Sequence, residues 1–173
     1  RAERKEFFAL TEPGAGSDIM SIQTRAERDG DDWIINGSKH FISSPVQADF
    51  AILFAVTGID ETPRGQRKQI TAFLVDAGLP GFSIERGPRC AAQRAYQTFQ
   101  LSFDNVRVPH SKILGEEGKG LELAGKWLKM GRVWVAAGCC GKAERLLDLA
   151  VEWASSRKQF GQPIGKFQGT SFK

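Results

Sequence analysis

The run Thr11-Glu12-Pro13-Gly14-Ala15-Gly16-Ser17-Asp18 has the residue types and spacing to hold a ligand. Two glycines let the backbone approach a bound group closely, and successive amides, with the hydroxyls of Thr11 and Ser17, can cradle anionic oxygen. It fits neither standard phosphate fingerprint. The dinucleotide pattern needs a third glycine where Ile19 stands, and no Gly-Lys-Ser/Thr of a P-loop follows. His40, in His40-Phe41-Ile42-Ser43-Ser44, is by residue type the candidate for acid-base work, although a histidine at a strand end explains it more simply. His110 is the only other histidine, so a metal site has little support. No Gly-x-Ser-x-Gly elbow exists for serine hydrolysis. Cys139-Cys140 reads as a pair of small buried hydrophobes. Cys90 sits in a loop with Arg86, Arg89 and Arg94, whose charges are most simply solvated, so a reactive thiol there has little support.

Composition and charge narrow the classes. Of the 173 residues, 41% are hydrophobic and 25% charged, ordinary for a globular protein and unlike a disordered or fibrous one. No apolar run approaches the ~20 residues that cross a bilayer, and the basic start lacks the apolar core of a signal peptide. Three cysteines make no disulfide framework, so a reducing compartment is expected. Charges balance over residues 1–112, and the whole excess of +4 falls on 113–173. That excess is too mild, and too poor in interleaved aromatics, for a nucleic-acid stripe. It suits a small anionic ligand.

The periodicity changes at the same place. Before residue 112, short β-rich runs alternate with turn residues: Phe7–Leu10, Gln23–Glu27, Trp33–Ile35, His40–Ser43, Phe50–Val56, Ile70–Val75 and Thr98–Phe103. Asp29-Gly30-Asp31-Asp32 and Asn36-Gly37 are expected to be hairpin turns between successive runs. No helical segment intervenes, which predicts an antiparallel sandwich or barrel over 1–112. From Gly118, Leu123, Trp127, Met130, Trp134, Leu146, Ala150 and Trp153 recur at helical spacing, as the core stripe of a long helix. Any bend is expected at Gly138–Gly141. Arg157 and Lys158 complement the helix C-terminus, and Gly161, Pro163 and Gly165 form a turn before a second helix near Phe167. The chain opens on Arg1 rather than Met, and Gly165–Lys173 stops inside an amphipathic pattern, so the sequence reads as a piece of a longer protein.

Taken together, the sequence resembles the acyl-CoA dehydrogenase family of flavoproteins. The resemblance rests on the glycine run at 11–18, Asp-Gly-Asp-Asp-Trp-Ile-Ile-Asn-Gly-Ser-Lys at 29–39, Val106-Arg107-Val108-Pro109 followed by Leu114-Gly115, Gly118 to Gly120, and Arg157 to Gln168, in family order along nearly the whole chain. It implies an α+β protein: a middle β-domain at 1–112, and at 113–173 the first helices of an incomplete C-terminal four-helix bundle. It further implies FAD held between those parts and partly by a neighbouring subunit. Phe8, Leu10, Thr11, Gly16 and Ser17 correspond to the segment around the flavin ring and diphosphate, and Phe41, Ile42 and Ser43 to the segment against the ring. Phe41 stands where the family often has Trp, and Ser43 where it often has Thr. Arg157, Phe160 and Gln168 correspond to positions that reach FAD across a subunit interface. Ser17, Lys129 and Arg132 border the CoA thioester, Lys129 replacing a common acidic residue.

The implied reaction is oxidation of an acyl-CoA to the trans-2-enoyl-CoA, a carboxylate removing the α-proton while the β-hydrogen leaves as hydride to the flavin. Electrons would pass to an electron-transferring flavoprotein. Some relatives carry the base just before the helix arginine, but Gly131 stands there, so the base is expected beyond Lys173 and the 173 residues alone are expected to be inactive. The resemblance implies a dimer or tetramer, in a bacterial cytoplasm or a mitochondrial matrix. An acyl-CoA oxidase, nitroalkane oxidase or flavin monooxygenase on the same scaffold, or a flavin-binding member without catalysis, is the alternative.

Overall fold

A computed structural model describes residues 3–63, 65–92 and 95–173. Arg94 of the arginine-rich loop lies outside the described residues. The chain forms two compact units, Arg1–Gly125 and Lys126–Lys173, and is α+β, as expected.

The first unit is one curled sheet of β1 (Glu6–Ala9), β2 (Arg25–Asp29), β3 (Asp32–Ser43), β4 (Phe50–Thr62), β5 (Gly65–Asp76), β6 (Phe82–Arg86) and β7 (Thr98–Pro109). The strand order is β1-β4-β2-β3-β7-β6, with β5 paired along the whole length of β4. Neighbours are antiparallel except β1 with β4 and the single contact of β2 with β4. Alternation aims one face inward: Leu53 and Ala55 on β4, Phe73 and Val75 on β5, and Leu101 and Phe103 on β7 bury themselves around Trp33. Each large apolar side chain buried there is worth roughly 1.5–3 kcal/mol, and this shared core fixes the strand register.

Several expected boundaries move. Asp29–Asp32 is the β2–β3 hairpin, with Gly30 at φ +62°. Asn36-Gly37, expected as a second turn, instead lies inside β3, which runs unbroken from Asp32 to Ser43. The pairing steps from Ile35–Val106 to Gly37–Phe103, so Asp104 and Asn105 oppose a single residue in a β-bulge. Asn36 Oδ1 accepts the Asn105 amide at 2.8 Å, and Asn105 itself sits at φ +51°. A bulge and a hairpin both need positive φ; pairing with β7 on both sides of the step decides for the bulge. It also keeps Leu101 and Phe103, then Val106 and Val108, on the buried face despite the change of phase. The strand β6 was not expected, because Phe82-Ser83-Ile84-Glu85-Arg86 is short and lies between glycines.

The first unit also holds the start of α1 (Gly120–Ser156). Gly118 N–H donates to Thr71 Oγ1 at 2.8 Å, and a Cβ at Gly120 would lie 2.8 Å from both Ala72 N and Ile70 O. Only glycine lets the helix begin this close to β5.

In the second unit α1 continues without interruption through Gly138–Gly141, where a bend was expected. The stripe expected as helix core is largely exposed: Trp127, Met130, Trp134, Leu146 and Trp153 all face outward, as do Cys139 and Cys140, which were expected to be buried. The helical spacing therefore marks a shared face of α1, but that face is largely exposed rather than core. Arg157 and Lys158 follow the helix end, and Arg157 N–H bonds to Trp153 O at 2.9 Å. A tight hairpin of β8 (Lys158–Gln159) and β9 (Gln162–Pro163) turns at Phe160 and Gly161, both at positive φ, and α2 (Gln168–Ser171) follows Phe167.

Candidate functional site

The glycine run leaves β1 and closes a small turn in which Glu12 and Ala15 exchange backbone hydrogen bonds of 2.9 and 3.2 Å. Gly14, Gly16 and Ser17 are exposed, and their amides make no hydrogen bond among the described residues. A Cβ built at Gly14 or Gly16 would meet nothing within 4 Å. The turn therefore presents free N–H donors beside open space, a surface suited to anionic oxygen. Ser17 adds an exposed hydroxyl.

Beside it runs the far end of β3. A second register shift between Lys39 and Ile42 puts His40 and Phe41 in a bulge, and Phe41 takes φ +56°. This left-handed conformation costs a bulky residue ~1–3 kcal/mol and swings the ring out to 53% exposure. An exposed aromatic held by a strained backbone is a surface for a planar group. Ile42 returns to the core, and Ser43, opposite Thr98, is half-buried. His40 stacks edge-on against Phe41 at 4.2 Å, and its buried Nδ1 has no hydrogen-bond partner among the described residues.

The turn and the bulge are clasped together. His40 N–H donates to Thr11 O at 2.8 Å. Lys39 Nζ, fully buried, donates to Leu10 O at 3.0 Å and to Glu12 Oε1 at 2.8 Å. The Glu12 carboxylate also accepts the amides of Gln23 at 2.6 Å and Thr24 at 3.0 Å. Thr24 Oγ1 in turn donates to Ser38 O at 3.2 Å. Burial pushes the Lys39 ammonium down to about 8, against the opposing pull of Glu12. Burial pushes Glu12 up, but the charge and hydrogen bond of Lys39, with the bonds from Thr24 and Gln23, outweigh it and hold the carboxyl below its ordinary value. An open depression of about 340 Å³ flanks the clasp, bordered by Gln23, Thr24, Arg25 and Asn36.

Of the residues singled out in the sequence, Thr11, Gly16, Ser17, Phe41 and Ser43 thus lie on two adjoining, partly open segments. Phe8 packs its ring on Phe54 at 4.8 Å. Leu10 and Ile42 are buried, so only their backbones could face a ligand, and Leu10 O is already taken by Lys39. In the second unit Lys129 and Arg132 are exposed one helical turn apart on α1. Arg157 lies over the Trp153 ring at 5.9 Å, Phe160 is 93% exposed and touches Phe167, and Gln168 opens α2. Cys90 is exposed beside a separate hollow of about 600 Å³ between Arg86–Ala91 and Tyr96–Thr98. The Glu12–Lys39 pair was missed as a unit. Its one signal was a lysine in the inward phase of a strand, set between Ile35 and Ile42, which demands a buried anion elsewhere.

Residues 7–106 match the family model for the acyl-CoA dehydrogenase middle domain, and residues 118–173 that for the acyl-CoA dehydrogenase C-terminal domain. An acyl-CoA dehydrogenase of Bacillus subtilis (strain 168) is 42% identical over 166 residues, 96% of this chain and 43% of that protein. The structure of butyryl-CoA dehydrogenase from Megasphaera elsdenii matches with a TM-score of 0.85 at 41% identity, over 98% of this chain and 43% of that one. A glutaryl-CoA dehydrogenase from Mycobacterium smegmatis, solved in complex with FADH2, matches with a TM-score of 0.85 at 35% identity, over 98% of this chain and 42% of that one. The chain spans less than half the length of these relatives. With both family models matched in order on a curled sheet followed by a long helix, the chain belongs to the acyl-CoA dehydrogenase family.

Proposed function

We propose that this chain is part of an FAD-dependent dehydrogenase that converts an acyl-CoA to its trans-2-enoyl-CoA, with the flavin-binding β-domain in 1–112 and the start of the helical domain in 113–173. The observation that carries the reading is the clasp of two complementary surfaces: the free amides of Gly14, Gly16 and Ser17 on one segment, and the outturned Phe41 ring with Ser43 on the other. The donor set fits FAD, whose diphosphate needs N–H groups and whose ring needs a flat apolar neighbour. The unpartnered His40 Nδ1 beside Phe41 fits a site completed by a bound group. When bound, FAD supplies the hydride acceptor.

The chain's own residues then have distinct tasks. Thr11, Gly16 and Ser17 hold the cofactor by backbone and hydroxyl groups, Phe8, Leu10 and Ile42 line it, and Phe41 and Ser43 orient the ring. Arg157, Phe160 and Gln168 serve the flavin of a neighbouring subunit in a dimer or tetramer. Arg132, with Lys129 and Ser17, attracts the anionic CoA. Gly131 can hold no proton, so the α-proton goes to a carboxylate outside these 173 residues. An electron-transferring flavoprotein is the acceptor, and a bacterial cytoplasm or mitochondrial matrix the setting. The test is turnover of acyl-CoA thioesters by the purified flavoprotein, under air, with an electron-transferring flavoprotein present. A dehydrogenase reduces that acceptor and makes little peroxide. Peroxide formed in step with substrate loss would assign an oxidase instead.

A further inference from the structure

We propose that Glu12 and Lys39 are positioning residues for the flavin: their buried ion pair sets the spacing and orientation of the glycine turn relative to the Phe41 bulge. The inference rests on the flavin-binding reading above. Lys39 is fully buried, and both of its described hydrogen bonds go to one segment, Leu10 O and Glu12 Oε1. Its own backbone is the last regular position of β3 before the bulge carrying Phe41. Glu12 is in turn the first residue of the small turn whose amides at Gly14, Gly16 and Ser17 stay free, and it is anchored from behind by the amides of Gln23 and Thr24.

The pair is therefore a strut with one end under each surface. A core lysine is an expensive way to fill space, since an apolar side chain of similar volume would usually stabilise the fold as well or better. What an apolar pair would not do is fix a distance and a direction through directed hydrogen bonds at both ends. Lys39 is fully buried, and the oxygens of the nearly buried Glu12 carboxylate are taken up by Lys39, Gln23 and Thr24, so the effect of the pair passes through Phe41, Ser43 and the free amides.

The experiment compares the purified wild-type flavoprotein with Lys39→Met, Glu12→Gln and the double variant. Three quantities are measured: the FAD dissociation constant after flavin removal, the flavin absorption band at saturating FAD, and the flavin midpoint potential. Val75→Ala, a buried core truncation outside the pair's contacts, serves as the control for general destabilisation. The expected result is at least a tenfold loss of FAD affinity in each pair variant, with a displaced band and potential even at saturation, while Val75→Ala melts earlier but keeps FAD affinity within twofold and the band and potential unchanged. Should a single variant fail to accumulate, the double variant carries the test, because it leaves no lone charge buried. FAD affinity within twofold of wild type, with unchanged band and potential, overturns the inference. Failure of the wild-type protein itself to take up FAD would instead overturn the flavin reading on which it rests.

Discussion

Replacing Gly37 by alanine tests whether the close approach of β3 to Thr24, beside the β7 bulge, holds the fold together. Gly37 sits at φ +146°, and a Cβ there would lie 2.6 Å from Thr24 Cα and Oγ1 and 2.8 Å from Thr24 Cβ. Two of those atoms are close to a backbone that cannot rotate away, because Thr24 N–H is tied to Glu12 and Thr24 O accepts the Val56 amide at 2.8 Å. Backbone strain costs ~1–3 kcal/mol, and overpacking adds a similar amount. Stiffening of the unfolded chain returns ~0.4–1 kcal/mol. The net expectation is a loss of about 1–5.5 kcal/mol, centred near 3, which lowers Tm on the order of 10 °C for a domain of this size. Denaturant unfolding of the purified protein measures it, with Gly16→Ala as the matched comparison. Gly16 has nothing within 4 Å of its Cβ position, so that variant should unfold within ~0.5 kcal/mol of wild type yet bind FAD more weakly. A Gly37→Ala protein within 1 kcal/mol of wild type would refute the reasoning.

Other expectations follow from single groups. The Lys39 ammonium titrates near 8 when folded and near 10.5 when unfolded, so between those values the unfolded chain holds more protons and stability should rise with pH. Relative to a Glu12→Gln/Lys39→Met double variant, wild type should gain on the order of 3 kcal/mol from pH 8 to 10.5 in denaturant melts; a flat difference would contradict it. Arg132→Gln should raise KM for acyl-CoA roughly 10- to 100-fold while leaving kcat nearly unchanged, and should flatten the salt dependence of kcat/KM. Phe41→Leu should weaken FAD binding roughly three- to tenfold in a fluorescence titration, with little effect on melting because the ring is half exposed.

The division into a β-rich part and a long helix was legible because each rests on local period: two in β4 and β7, close to four from Leu123 to Trp134. What was not legible depended on partners distant in sequence. Asn36-Gly37 carries hairpin chemistry, and only the pairing of β7 with both sides of it makes it a bulge. Trp134 and Trp153 look like core by spacing, but spacing says which side chains share a face and not what covers it. At the site, the glycine run and the Phe41 segment could be picked out by residue type. That they are joined through Lys39 and Glu12 could not, because the two residues are 27 positions apart and meet only when β3 passes the end of β1.

The most direct measurement of the central claim is an anaerobic titration of the purified flavoprotein with a panel of saturated acyl-CoA thioesters, butyryl-CoA first, following flavin absorbance and the thioester products together. Loss of the oxidised flavin band is expected with at least one thioester, with one enoyl-CoA formed per flavin reduced. An oxidised band that persists with every thioester, in a protein whose flavin dithionite still reduces, would contradict it.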